Sequence, residues 1–195
     1  SAAALMWDAG LAWQACPDAS GIAAAAWRAG LNCPITTAVG RLFDAAAALI
    51  LGVHNVSFEA AGPMQLEALC QQQRAPLELP LAKHDDGTWR GDWAPLLAML
   101  NDNKTDAAQR AEVFHASMAE LILAQARAVR GERAFTTVGL CGGVFQNRVL
   151  AELASERLQQ EGFTVCLPER LPCNDAALCV GQAAEIAART AAQAT

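Results

Sequence analysis

Val138-Gly139-Leu140-Cys141-Gly142-Gly143-Val144-Phe145-Gln146-Asn147 is the stretch that decides the fold. The apolar, β-branched run Ala134 to Cys141 reads as a buried strand. It delivers two glycines to a helix predicted from Phe145 to Glu161, whose Leu150, Leu153, Ala154 and Leu158 face inward. Glycines at such a junction let a ligand approach the backbone, and free amides at a helix N-terminus attract phosphate or polar nucleotide atoms. Asn147, one turn in, offers both a donor and an acceptor. A tight connection without a ligand has the same spacing, and no Gly-Lys-Ser/Thr follows to make it a P-loop.

Outward from this junction, Phe163 to Leu167 reads as a second short strand and Asn174 opens a last helix through Ala188, so the second half runs strand, helix, strand, helix. Upstream, Asp106 to Arg130 places Phe114, Met118, Leu121, Ile122 and Val129 on one face. This is the longest predicted helix, with Thr105 as its expected cap. Leu77 to Lys83 and Thr88 to Trp93 flank Asp85-Asp86-Gly87, whose glycine suits a hairpin turn. Ala23 to Gly30, Val39 to Leu51 and Met64 to Gln73 read as helices, and His54 to Ala61 as a loop carrying Glu59.

With 195 residues, 53% hydrophobic and 17% charged, the chain buries a core of one domain or two small lobes. Its longest apolar stretch, Ala45 to Val53, falls short of the roughly 20 residues that span a bilayer. Ser1 to Leu11 lacks the basic start and long apolar run of a signal peptide, so a cytoplasmic location is expected. Seven scattered cysteines, an odd number with no CxxC pair, read as reduced thiols without structural zinc. The net charge of −6 with only two lysines argues against nucleic acid as a partner.

Two further stretches carry candidate chemistry. In Gly40-Arg41-Leu42-Phe43-Asp44 a carboxylate and a guanidinium lie three residues apart on an otherwise apolar helix. They form either a structural ion pair or a site where the carboxylate accepts from the two hydroxyls of a ribose. In Cys173-Asn174-Asp175, Asn174 is a good helix cap and Asp175 is favoured by the helix dipole, while a carboxylate there also serves as one ligand of a phosphate-bridging metal. His54, His84 and His115 have no metal-like spacing, and His115 on its helix reads as a hydrogen-bonded packing residue. Cys141 and Cys173 have no neighbouring His or Lys and are not cast as nucleophiles.

Taken together, Cys33 to Leu49, Phe58-Glu59, Phe114-His115, Gly142 to Asn147, and Leu171 to Asp175 through Gly181-Gln182 resemble the end of the hydrogenase-maturation carbamoyltransferases, the HypF family. The resemblance covers about residues 20 to 190. More distantly the chain resembles tRNA threonylcarbamoyl-transferases, which read Gly-Glu-Ala-Phe-Asp where this chain has Gly40 to Asp44, and antibiotic O-carbamoyltransferases.

The family resemblance implies an α/β fold: the C-terminal lobe of a ribonuclease H-like, actin-like ATPase (ASKHA), helix-rich, with a small central sheet and a β-hairpin insertion. Residues 1–195 would form that lobe, helical to about 130 with the hairpin at about 77–93, and an αβ core from about 131. It further implies that the full enzyme uses ATP and carbamoyl phosphate to carbamoylate the C-terminal cysteine of a partner maturation protein. That product is the precursor of the cyanide ligands of a nickel-iron centre. Gly40, Asp44, Glu59, Gly142, Gly143 and Asn147 would bind the nucleotide, Asp175 a divalent metal (Mg, Zn or Fe). No residue is assigned as catalytic.

The metal's histidines belong in the family to an upstream HxxHH-type motif that this chain lacks. The expectation is therefore a half-site on part of a longer protein, inactive alone. The competing expectation is a structural or partner-docking lobe. Two departures stand out: Tyr-Glu-Gly-Gln-Ala-Ala has become Phe58-Glu59-Ala60-Ala61-Gly62-Pro63, and Asn-Asp-Gly-Gly has become Asn174-Asp175-Ala176-Ala177. Losing those glycines bears on how closely a ligand approaches the backbone.

Overall fold

A computed structural model describes residues 1–18 and 20–193. The helices are α1 (Ala2–Asp8), α2 (Ile22–Arg28), α3 (Gly40–Leu51), α4 (Ala61–Ala68), α5 (Ala94–Leu100), α6 (Ala107–Glu132), α7 (Arg148–Gln160) and α8 (Leu178–Gln193). Strands β1 (Leu81–Lys83) and β2 (Trp89–Gly91) pair antiparallel, and β3 (Thr137–Gly139) and β4 (Thr164–Cys166) pair parallel, Val138 opposite Val165. Short 3-10 turns cover Gly143–Gln146 and Asp175–Ala177. The expected class, α/β and helix-rich with small sheets, is the one observed.

Helix α6 is the spine. It packs along α7 on one side and against α3, α4 and α5 on the other, with Phe114 and His115 fully buried at the crossing. One apolar cluster runs from Met6 through Phe43, Leu66, Leu97, Phe114 and Leu150 to Phe163. On α3, Ala45, Ala46, Ala47 and Ala48 are all buried, and small residues allow close helix approach: a Cβ added to Gly62 on α4 would stand 3.0 Å from Ala47 Cβ. The hairpin closes as expected over Gly87, at φ 79°, with Gly87 N–H donating to the His84 carbonyl.

Several boundaries differ from the sequence reading, each for a local reason. Asp106, not Thr105, caps α6: its Oδ2 accepts from Ala108 and Gln109 amides, while the Thr105 hydroxyl donates to Asp102. Helix α4 starts three residues early and ends at Ala68 instead of Gln73, because the Gln71 and Gln72 amides turn away to Glu112 Oε1 at 3.0 and 2.8 Å. Helix α7 begins at Arg148 instead of Phe145, since the glycine pair winds first into a 3-10 turn. The short helices α1 and α5 went unread. Each is one face of seven residues, too brief for periodicity to declare itself.

No helix among the described residues is long and apolar enough to cross a membrane. Helix α8 projects from the turn that precedes it, with Leu178 and Ile186 at 60% and 66% exposure. The segment from Leu31 to Val39 is exposed throughout, Ile35 completely.

Candidate functional site

The start of α3, the glycine turn after β3 and the turn before α8 come together. Val144 Cγ1 lies 4.0 Å from where a Gly40 Cβ would be, and Asn174 Cβ lies 3.9 Å from the corresponding position on Gly143. Gly142 N–H donates to the Cys173 carbonyl at 2.6 Å, tying the two turns directly. Three motifs spread along the chain from Gly40 to Asn174 thus share one face.

Gly142 has φ 112° and ψ 153°, a conformation open essentially to glycine alone, and nothing stands within 4 Å of its missing Cβ. The turn is therefore set by backbone geometry and is open to an approaching group. Among the described residues, nothing accepts from the Gly143 and Val144 amides.

The start of α7 proper is a different matter, and here the expectation of free helix amides is corrected. Arg148 N–H donates to Glu67 Oε1 at 2.8 Å and Leu150 N–H to Asn147 Oδ1 at 2.9 Å, so these amides are spent inside the protein. Asn147 is likewise not one turn in but the cap of α7. It is 9% exposed, with Oδ1 on Leu150 and Nδ2 at 2.9 Å from His115 Nε2. Both ends of its amide are committed.

Asp44 sits on the exposed first turns of α3, with its side chain 33% exposed. Arg41 Nη1 is 3.1 Å from its Oδ2, and among the described residues nothing donates to Oδ1. Arg41 Nη2 reaches Glu59 Oε1 at 3.9 Å, the Glu59 side chain being 91% exposed, so Gly40, Asp44 and Glu59 belong to one polar rim. The ion pair and an available carboxylate oxygen coexist.

Asp175 is exposed on its 3-10 turn, and Asn174 caps that turn through Oδ1 to the Ala176 amide at 3.2 Å. No group of three or more His, Cys, Asp and Glu among the described residues could hold a metal ion. Among the described residues Asp175 has one carboxylate to offer and no partner ligands beside it, so a metal does not fit on them alone.

The three replaced glycines differ in consequence. Ala60 stands at φ 64°, ψ 6°, keeping the left-handed backbone at a position where a methyl group is strained. Ala176 and Ala177 have negative φ and carry no such strain.

Sequence reasoning left His115 as a packing residue, and it is buried to 0% exposure, but its position is more particular than that. Nδ1 lies 2.8 Å from the Ala111 carbonyl and 3.4 Å from Cys70 Sγ. Its ring meets Phe43 edge-on, 5.5 Å between centroids. A Cys-His-Asn set invites comparison with a thiol nucleophile. The geometry argues otherwise. Nδ1 must carry the proton to satisfy the Ala111 carbonyl, so it cannot take one from Cys70, and burial, with Glu112 and Glu67, pushes the Cys70 thiol up to about 12. The sequence signal for the trio was absent, since its members are 45 and 32 residues apart.

A family model described as "Carbamoyltransferase, Kae1-like Domain, second subdomain" matches residues 2–182. The chain is 34% identical over 158 residues to a carbamoyltransferase HypF of Synechocystis, covering 80% of this chain and 20% of that protein. It is 36% identical over 181 residues to a carbamoyltransferase HypF of Rhizobium leguminosarum, covering 89% of this chain and 23% of the relative. A crystal structure of full-length HypF in a phosphate- and nucleotide-bound form superposes with a TM-score of 0.77 at 27% identity, over 85% of this chain and 22% of that one. The crystal structure of T. kodakarensis HypF shares the fold with a TM-score of 0.72 at 21% identity. The chain thus spans about a fifth of the length of these relatives.

Proposed function

The chain belongs to the carbamoyltransferase family as the second subdomain of its Kae1-like domain, and from that premise we propose that it forms one wall of an ATP-using carbamoyl-transfer site completed by the rest of a longer protein. The supporting observation is that the start of α3 with Gly40, the Gly142-Gly143 turn and the turn before α8 lie against one another, the first and last of these segments carrying Asp44 and Asp175. Asp44 Oδ1 accepts from ribose hydroxyls. The open Gly142-Gly143 turn lets the adenosine lie against backbone, with the Gly143 and Val144 amides as donors. Glu59 extends the polar rim through Arg41. Asp175 would give one oxygen to a divalent metal whose remaining ligands come from outside this chain.

The reaction so read hydrolyses carbamoyl phosphate to carbamate with release of phosphate, and the carbamate oxygen then attacks the α-phosphorus of ATP, releasing pyrophosphate and leaving carbamoyl adenylate. The thiol of the partner's C-terminal cysteine then attacks the carbamoyl carbon as AMP leaves, in cyanide-ligand synthesis for a [NiFe] hydrogenase. In this scheme the wall contributes orientation and hydrogen bonds, the terms that matter most when the reactive groups are already activated. Such work belongs in the cytoplasm, without nucleic acid or membrane.

The second reading, a docking lobe, has in its favour the exposed apolar side chains of Ile35, Phe58, Leu178 and Ile186 and the intact Arg41–Asp44 pair. Asp44→Ala in the full-length protein separates the two. A nucleotide wall predicts at least a ten-fold loss of ATP affinity by calorimetry and loss of carbamoyl transfer, with the melting temperature held. Unchanged ATP affinity and transfer in a folded variant would leave docking as the answer.

A further inference from the structure

The Gly142-Gly143 turn has no side chain of its own to hold its shape, and Gly142 occupies a backbone region that only surrounding contacts maintain. One of its ends is tied to Cys173. The other end is Asn147, whose amide N–H closes the 3-10 turn on the Val144 carbonyl at 3.1 Å. Whatever fixes Asn147 fixes the turn.

The hydrogen-bond directions around Asn147 are determined. Leu150 N–H is a donor, so Asn147 presents Oδ1 to it and therefore Nδ2 to His115. Nε2 of His115 must then be the unprotonated acceptor, which puts the ring proton on Nδ1, where the Ala111 carbonyl accepts it. The chain Leu150 N–H to Asn147 to His115 to Ala111 carbonyl is consistent in one direction only. Reversal would set donor against donor at Leu150 and lone pair against carbonyl oxygen at Ala111. His115 also packs on Phe43, the residue before Asp44, so a single buried ring backs both the glycine turn and the helix that carries the candidate ribose carboxylate.

We propose that His115 is a positioning residue for the nucleotide wall: as the Nδ1–H tautomer it holds Asn147 by its Nε2 lone pair and so sets the Gly142-Gly143 turn relative to Asp44. This rests on the reading of that face as the nucleotide wall. His115 touches no ligand and acts through Asn147.

His115→Gln keeps an acceptor within reach of Asn147, whereas His115→Leu removes it at similar bulk. In the full-length protein, ATP affinity by calorimetry should fall at least ten-fold in His115→Leu and stay within about three-fold of wild type in His115→Gln, both variants melting cooperatively. In wild type, ring 15N shifts should show a protonated Nδ1 and a lone pair on Nε2. Equal affinity in all three proteins, equal loss in both variants, or the Nε2–H tautomer would overturn the proposal.

Should wild type itself bind no ATP, the nucleotide reading fails. The positioning proposal is then judged on backbone amide shifts alone: movement of Gly142 and Gly143 in His115→Leu but not in His115→Gln sustains it, and their constancy in both overturns it.

Discussion

Replacing Ala60 by glycine should stabilise the protein, although glycine is ordinarily the costlier residue. Ala60 is exposed, so the substitution removes no packing, and its carbonyl goes on accepting from the Met64 amide at 2.9 Å. Its φ of 64° puts Cβ against the following carbonyl, a strain of about 1–2 kcal/mol that glycine does not feel. Against that relief stands the greater unfolded-state entropy of glycine, about 0.5–1 kcal/mol. The difference leaves a gain of roughly 0.5–1 kcal/mol.

For a chain of 195 residues this is about 1–4 °C in Tm. Ala176→Gly is the internal control. Residue 176 is exposed and has negative φ, so only the entropy term operates and Tm should drop by a similar amount. Differential scanning calorimetry on the two variants gives opposite signs if the backbone argument is right. A fall in Tm for Ala60→Gly, or the same sign for both, refutes it.

Two stability predictions follow from buried polar groups. Glu112, its side chain 4% exposed, accepts from the Gln71 and Gln72 amides and from Arg74 Nε at 2.9 Å. Burial alone would raise its carboxyl, but the Arg74 guanidinium and the two amides together hold it below the ordinary 4.5. Glu112→Ala strands both amides and should cost about 3–5 kcal/mol by urea unfolding. Arg74→Ala, whose side chain is 40% exposed, should cost about 1 kcal/mol or less, and a larger loss from Arg74 than from Glu112 would contradict the assignment. At His115, burial holds the imidazole below its ordinary 6.5, against the smaller opposing pulls of the Ala111 carbonyl and Glu67. The unfolded chain then binds the proton first. Stability contributed by this group is full above pH 6.5 and declines as pH falls toward the folded value, by up to about 1.4 kcal/mol per pH unit. Carboxylates with lowered values act only below 4.5, so His115→Gln should flatten the unfolding free energy between pH 6.5 and 5, and an unaltered slope would count against a neutral buried ring.

What was legible in the sequence is what repeats along it. The faces of α3, α6 and α7 are written at three- and four-residue spacing, and Gly87 marks its hairpin. The glycine pair also announced a special backbone. What the sequence did not declare were commitments made across the chain: that Glu112 would end α4 by drawing two amides away, that Glu67 would cap the start of α7 from 81 residues upstream, and that Asn147 would face inward to His115. A side chain that can both cap a helix and bind a ligand looks the same in either role until its partners are placed.

That distinction changes what the glycine turn does. Had the first amides of α7 been free, the helix dipole would draw phosphate to Arg148 and beyond. With Glu67 placed on Arg148 N–H, a carboxylate already sits at that end, and a second anion there would be repelled. The two amides left open, on Gly143 and Val144, lie in the 3-10 turn, beside Asn174 and across from Gly40. A neutral, hydrogen-bonding group such as a nucleoside suits donors without a net positive field, whereas phosphate needs a cation. The described residues provide Arg41 near this face, and it is held by Asp44 and Glu59. On the proposed nucleotide reading, the charge that balances a triphosphate must therefore come from outside these residues or from a metal. On the nucleotide reading proposed above, this wall suits the nucleoside end of ATP and not its phosphates.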